Sequence, residues 1–219
     1  MIKLSKRLET IAFFIDKNDN VLDVGCDHAL LDIYLSKKYS KKYFASDLRE
    51  SALDMARSNI RKYNANDVIL MCGNGLDVLD KTSNVNTVVI SGMGYISIIH
   101  ILKKIKYLKN INKLVIQSNT NQEKVRKYVT RNGFYIYDEK LVKDKNIYYI
   151  VSLFKRGNKK HNNIEKEIGI MNDIILKEYI DTEIKKNNVL LSVVPKKHII
   201  RRYSIKRKLK YLKKRILTI

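Results

Sequence analysis

Five times along this chain a short apolar run gives way to a helical pattern, and the first four runs stop on glycine or a carboxylate. The runs are Val21–Val24 closing at Gly25, Lys42–Ser46 closing at Asp47, Val68–Met71 closing at Gly73-Asn74-Gly75, Thr87–Ile90 closing at Gly92-Met93-Gly94, and Leu114–Gln117. Helical spacing covers Leu4–Phe14, Ala29–Leu35, Ser51–Tyr63, the stretch from the fourth loop through Leu102, and Gln122–Thr130. Strands and helices alternating over short connections build a parallel sheet with helices on both faces.

After Asn132-Gly133 the alternation stops. Phe134–Val142 and Ile147–Phe154 are β-rich and joined by the charged segment Lys143–Asn146, which predicts an antiparallel pair at one sheet edge. Further on, Ile164, Ile168, Met171 and Ile175 step by four, three and four, and Ile205, Leu209, Leu212 and Ile216 do the same. Joined near Pro195, the only proline, these stripes predict a coiled-coil-like antiparallel helical pair. A doubly wound sheet finished by a hairpin is the usual core of Rossmann-like class I methyltransferases; a plain dinucleotide-binding domain would keep alternating with helices. The expected fold class is therefore α/β of that kind plus a C-terminal helical pair, divided at 1–157 and 158–219.

Nucleotide-like cofactors bind beyond the carboxyl ends of parallel strands. Gly25 lets backbone approach a ligand closely, and Asp27 or His28 can cap the helix that follows. Asp47, 22 residues past Gly25, stands where a carboxylate accepts protons from vicinal ribose hydroxyls. Gly73-Asn74-Gly75 with Asp77 can hold an adenine ring. A pyrophosphate needs G-x-G-x-x-G and little negative charge. Here the second and third glycines are missing and Asp27 adds a carboxylate, which suits a ligand carrying ammonium and sulfonium groups. S-adenosyl-L-methionine is therefore favoured over NAD.

The composition narrows the chemistry. With Pro195 as the only proline, an Asn/Asp-Pro-Pro-aromatic motif for exocyclic amines cannot exist. Cys26 belongs to the first loop and Cys72 to the third strand, so neither is placed as the nucleophile of a pyrimidine C5 enzyme; both read as buried thiols of a reducing compartment. Two cysteines make neither a disulfide framework nor a zinc site, and no metal is expected. The two glycines around Met93 leave room for a flat base, and a ring nitrogen with an in-plane lone pair is a fitting acceptor.

Forty-four Lys and Arg face 22 Asp and Glu, a formal net charge of +22 that favours a polyanionic partner. From Pro195 to Ile219 there are 11 basic residues and no acidic one, and none follows Glu183. Without acids for pairing along the helix, that surface reads as a phosphate-binding face. No run approaches the roughly 20 apolar residues of a membrane span, and the N-terminus lacks a signal peptide's pattern. A cytoplasmic monomer is expected.

The opening Leu4-Ser5-Lys6-Arg7-Leu8, the loop Asp23-Val24-Gly25-Cys26-Asp27-His28-Ala29, the run Gly73–Leu79, Ser91-Gly92-Met93-Gly94 and Ile116-Gln117-Ser118-Asn119 resemble the TrmK family, bacterial tRNA (adenine(22)-N1)-methyltransferases. Asn132-Gly133-Phe134 and Tyr148-Tyr149-Ile150 match as well. The resemblance covers roughly residues 3 to 156, and the tail by general character. Cys26 stands where Ser is usual, Ser91 for Ala, Tyr95 for Gly and Ser118 for Pro; the Tyr95 ring would narrow the acceptor pocket or stack on the target base. The resemblance implies methylation of ring nitrogen N1 of adenosine 22 in tRNA, with the base extruded first. It implies a cofactor-binding set of Arg7, Asp23, Gly25, Cys26, Asp27, His28, Asp47, Leu48, Gly73, Asn74, Gly75 and Leu76. The candidate catalytic set is Ser91, Gly92, Met93, Gly94, Asp27 and Asn119, with Gln117 beside it; amides of Asn74, Gln117 or Asn119 could read the adenine amine. The alternatives are a methyltransferase acting on another RNA and a non-catalytic RNA-binding protein with this fold.

Overall fold

The computed structural model describes residues 2–79 and 84–219. One sheet takes its strands in the order β3-β2-β1-β4-β5-β7-β6. They are β1 (Val21–Val24), β2 (Tyr43–Asp47), β3 (Val68–Cys72), β4 (Thr87–Met93), β5 (Lys113–Ser118), β6 (Phe134–Asp144) and β7 (Ile147–Arg156). The first five are parallel, and β7 runs antiparallel between β5 and β6. Around them pack α1 (Lys6–Phe13), α2 (Leu30–Tyr39), α3 (Glu50–Tyr63), α4 (Tyr95–Ile101) and α5 (Gln122–Arg131).

Every residue of β1 is buried, as a strand covered on both faces requires. On one face Leu22, Val88, Ile90, Leu114 and Ile116 pack beneath Ile98 of α4 and Val125 and Val129 of α5. On the other, Val21, Val89, Val115 and Val151 meet Ile11 and Ala12 of α1 and Leu31 and Leu35 of α2. The β6–β7 hairpin turns through Lys145 and Asn146, both left-handed (φ 47° and 64°), the geometry of a two-residue type I′ turn. It is tighter than the segment Lys143–Asn146 suggested, because Lys143 and Asp144 still pair with Tyr148 and Ile147.

The tail departs from expectation in one respect. The stripe Ile164, Ile168, Met171 and Ile175 does not form one helix. α6 (Asn163–Glu167) is short, and a strap without helical structure runs to α7 (Leu176–Val193). Gly169, at φ +109°, is outside the helical region, and its backbone passes so close to Glu139 that a Cβ there would lie 2.3 Å from Oε2. Ile168 and Met171 instead fill a cluster with Leu141 and Ile150 of the sheet and Ile180 and Leu212 of the tail. The antiparallel pair is formed by α7 and α8 (Ile199–Ile216) around Pro195.

A buried ion pair ties the strap to the sheet. Arg126 Nε donates to Glu139 Oε1 at 2.7 Å, with side chains 1% and 0% exposed. Glu139 also accepts from the Ser152 hydroxyl and, at 2.8 Å, from the Ile170 N–H of the strap. Arg126 Nη1 donates to the Glu167 carbonyl. Losing one partner of a fully buried pair strands the other charge in a medium that cannot solvate it. Glu139→Ala is expected to destabilise the fold by about 3–5 kcal/mol, read by denaturant unfolding. Glu139→Gln, which keeps hydrogen-bonding capacity, should cost less.

Candidate active site

Strand order reverses between β1 and β4, so the helices that follow them leave on opposite faces and a crevice opens above the carboxyl ends. A cavity of about 560 Å3 occupies it. Gly25, Asp47, Leu48, Gly73, Asn74 and Gly75, six of the expected cofactor set, line it together with Met93. Ile96, Ser97, His100 and Ile101 of α4 complete the opposite wall, with Arg49 at the rim. The α4 residues carried no sequence signal of their own. Their place follows only from where the helix starts after the Gly92–Gly94 loop.

Gly25 is essential to this shape. Its φ is +76°, a conformation that side chains rarely adopt, and a Cβ would displace the Met93 tip, whose Cε would lie 2.0 Å away. Its N–H and that of Cys26 both donate to the Ser46 carbonyl, which binds the loop to the end of β2. Asp47 is nearly buried. Its Oδ1 accepts the Arg49 N–H at 3.0 Å, orienting the carboxylate along the crevice. The Arg49 guanidinium, largely exposed at the rim, lies against the same oxygen, Nε to Oδ1 3.6 Å.

The other expected residues take different positions. Cys26 is buried against Ile33, Ala45 and Leu53, and Leu76 is buried in the main core. Neither Asp27 nor His28 caps α2: the N-cap is Ala29, left-handed at φ 51° and without a side-chain bond. The two side chains instead face each other at 3.4 Å, both well exposed beside the Gly25 turn. Cys72 is exposed, not buried, because it ends the edge strand β3. Asp77 pairs with Lys104 at 2.5 Å.

The Ser91–Gly94 loop is held by a chain of amides. Gln117 Oε1 accepts from Arg7 Nη1 and from the Gly92 N–H, each at 3.0 Å. Gln117 Nε2 donates to Asn119 Oδ1 at 3.0 Å, and Asn119 Nδ2 donates to the Gly92 carbonyl at 2.7 Å. Gln117 is completely buried, so it shapes the loop and cannot touch a ligand. Asn74 and Asn119 remain at the surface. Arg7 reaches Ser91 at 3.5 Å and stacks over Tyr149 at 5.7 Å, so α1 closes the β4–β5 side of the site. Tyr95 turns toward α5: Lys124 Nζ lies 4.5 Å from its ring centroid, and its N–H donates to Thr120 Oγ1.

Among the described residues no helix is long and apolar enough to cross a membrane, and no group of three or more His, Cys, Asp or Glu could hold a metal ion.

Residues 4–151 match the family described as a methyltransferase domain. The Bacillus subtilis tRNA (adenine(22)-N(1))-methyltransferase is 30% identical over 162 residues, 72% of this chain and 67% of that protein. A Mycoplasma genitalium protein provisionally named a tRNA methyltransferase is 31% identical over 173 residues, 77% of each chain. The chain belongs to the TrmK family. Among solved structures, M. capricolum TrmK in complex with S-adenosyl-homocysteine superposes with a TM-score of 0.85 at 25% identity, covering 97% of each chain. That TrmK coverage extends the likeness through the strap and the α7–α8 pair, beyond the residues that the methyltransferase-domain family matches.

Beneath the Gly25 turn lie two buried carboxyls. Asp23 is the third residue of β1, and Asp32 in the first turn of α2 is completely buried. Burial, opposed by the hydrogen bond to Asp32 and the charge of Arg7 and reinforced by Asp47, pushes Asp23 up to about 7. Burial and the Asp23 charge hold Asp32 well above the carboxylate range. The folded chain therefore keeps protons that the unfolded chain releases near pH 4. This stability is complete below that pH and is lost as pH rises through 7. A carboxyl kept protonated costs the fold about 1.4 kcal/mol per pH unit above its unfolded value. Asp32→Asn is expected to melt above the wild type at pH 8, with the gap closing toward pH 4; thermal midpoints across that range test it.

Proposed function

We propose that this chain transfers the methyl group of S-adenosyl-L-methionine to ring nitrogen N1 of adenosine 22 in tRNA, acting as a cytoplasmic monomer. The observation that carries the reading is the convergence of Gly25, Asp47 and Asn74 on one crevice beside the Ser91–Gly94 loop. Asp47 would accept from the ribose hydroxyls, Gly73–Gly75 would flank the adenine of the cofactor, and the Gly25 turn would carry its amino-acid end. When bound, the cofactor supplies an electrophilic methyl on a sulfonium.

The chain itself then has to position two reactants and exclude water, which accounts for most of the acceleration in an in-line displacement. The N1 lone pair of adenosine is free at neutral pH, so no side chain needs to remove a proton before attack. The rigid amide chain Arg7–Gln117–Asn119–Gly92 keeps the acceptor loop open to a flat ring, and Asn119 lies where it can meet the edge of the target base. Asp27, exposed at the loop tip, adds negative charge near the cationic end of the cofactor.

The segment 158–219 is the proposed tRNA-binding element, and the structure sorts its cations. Of the 11 between Pro195 and Ile219, four are half-buried and internally engaged. Arg202 donates to the Leu191 and Val194 carbonyls, Arg207 faces Glu167 at 3.9 Å, Lys208 pairs with Glu183 at 2.7 Å and Arg215 donates to the Met171 carbonyl. Lys196, Lys197, Arg201, Lys206, Lys210, Lys213 and Lys214 are exposed, and among the described residues no carboxylate pairs with them. These are the available phosphate contacts.

Two measurements test the reading. Nucleoside mass spectrometry of tRNA incubated with labelled cofactor should place the label on N1-methyladenosine, and Asp47→Ala should weaken cofactor binding by tenfold or more, on the order of one charge-assisted hydrogen bond. Label on another base would reject the assignment. Replacing Lys206, Lys210, Lys213 and Lys214 by Gln should lower tRNA affinity and flatten its salt dependence by about 0.9 in log–log slope for each phosphate left unneutralised, with cofactor affinity unchanged.

A further inference from the structure

A second cleft, of about 460 Å3, opens on the far side of the loop that carries Asn119. Its near wall is that loop, Ser118–Asn121; Tyr148 of β7 and Tyr179 of α7, their rings packed on each other, line it as one wall, with Thr182 and Lys186 of α7 beside them. The volume lies in the range of small-molecule sites. Its charges are largely spent on one another. Glu183 holds Lys208 at 2.7 Å and Lys186 at 3.5 Å, and Glu167 holds Lys127 at 2.5 Å. A site of this kind has little to offer a phosphate, unlike the open lysines of α8. Amides, hydroxyls and tyrosine rings suit a flat, neutral ligand with a hydrogen-bonding edge.

The loop has two working sides. Toward the crevice, Asn119 Nδ2 grips the Gly92 carbonyl at 2.7 Å, and Thr120 Oγ1 accepts the Tyr95 N–H at 3.2 Å. Toward the cleft, the same residues face Tyr148 and Tyr179, which pack edge to face with ring centroids 5.4 Å apart at 62°. Extruding a base to expose its Watson–Crick edge also strips stacking from its neighbour. A tyrosine-walled cleft one loop away from the acceptor can compensate that loss, because aromatic side chains accept any base face.

We propose that this cleft takes the nucleobase of a nucleotide flanking the target adenosine, splayed out of the RNA stack. The proposal rests on the RNA-methylating reading above and adds to it a second contact point on the substrate. Occupying the cleft would fix the direction in which the strand enters the crevice, and so favour a substrate whose neighbouring base is free to leave its stack.

The test combines a filled cleft with an emptied substrate. The enzymes are the wild type, Thr182→Phe, which fills the cleft, and Lys186→Trp, which covers its mouth from an exposed helix position. The substrates are tRNA transcripts carrying adenosine 22, intact or with the base removed from the nucleotide on one flank or the other. With wild-type enzyme, one abasic flank should lower kcat/KM by about tenfold or more, the scale of a single base–aromatic stack. Each variant should lose a similar factor on intact tRNA and lose nothing further on that abasic tRNA, while cofactor affinity stays at the wild-type value. Losses that multiply, abasic flanks that cost nothing, or variants that methylate intact tRNA at the wild-type rate would overturn the proposal. Absence of N1 label with wild-type enzyme and intact tRNA would instead remove the functional reading itself.

Discussion

The structure depends on β1 being hydrogen-bonded in parallel on both sides. Val24 is level with Ser46 of β2 and with Ile90 of β4, so β1 ends there while β2 runs one residue further and β4 three. Because the chain order reverses across β1, the segments leaving those ends diverge, and the space between them cannot be filled by either helix layer. Everything proposed for the cofactor sits in that gap. A one-residue slip of β1 would turn Asp23 and its neighbours to the opposite faces and close it.

The electrostatics divide the molecule into three zones. Beneath the crevice, Asp23 and Asp32 are buried together and both are raised above the carboxylate range, a costly arrangement that only a well-packed surround sustains. At the back, the Arg126–Glu139 pair fastens the strap over α5 and the hairpin, so that the cleft lined by α7 stays in register with the loop of Asn119. At the outer surface of α8, exposed cations have no carboxylate partner among the described residues. Burial sets the role in each zone. Carboxyls out of water keep protons, paired charges out of water fix geometry, and unpaired charges in water are free to meet phosphate.

The tail illustrates why reading charge along one helix misleads. No acid follows Glu183, and that absence suggested a uniformly free basic face. Yet Glu167 of α6 and Glu183 of α7 reach across to Arg207 and Lys208. The acids that neutralise a helix need not lie on it. Spacing alone could not show this, because the partner elements are brought together by the Ile168, Met171, Ile180 and Leu212 cluster.

The sequence by itself determined the alternation of strands and helices, the hairpin finish and the carboxyl-end positions of Gly25, Asp47 and Gly73–Gly75. Those are properties of local period and of residues whose chemistry suits a strand end, and they survive without knowledge of contacts. Only the tertiary structure decided which of the expected residues face the crevice. It buried Gln117 and Leu76, exposed Cys72, left Asp27 and His28 outside the capping role, and added Ile96, Ser97 and His100 from α4. It also broke the Ile164–Ile175 stripe at Gly169, since an apolar residue at helical spacing packs equally well from a strap. Orientation toward solvent, core or ligand depends on elements far away in the chain, and no local pattern carries that information.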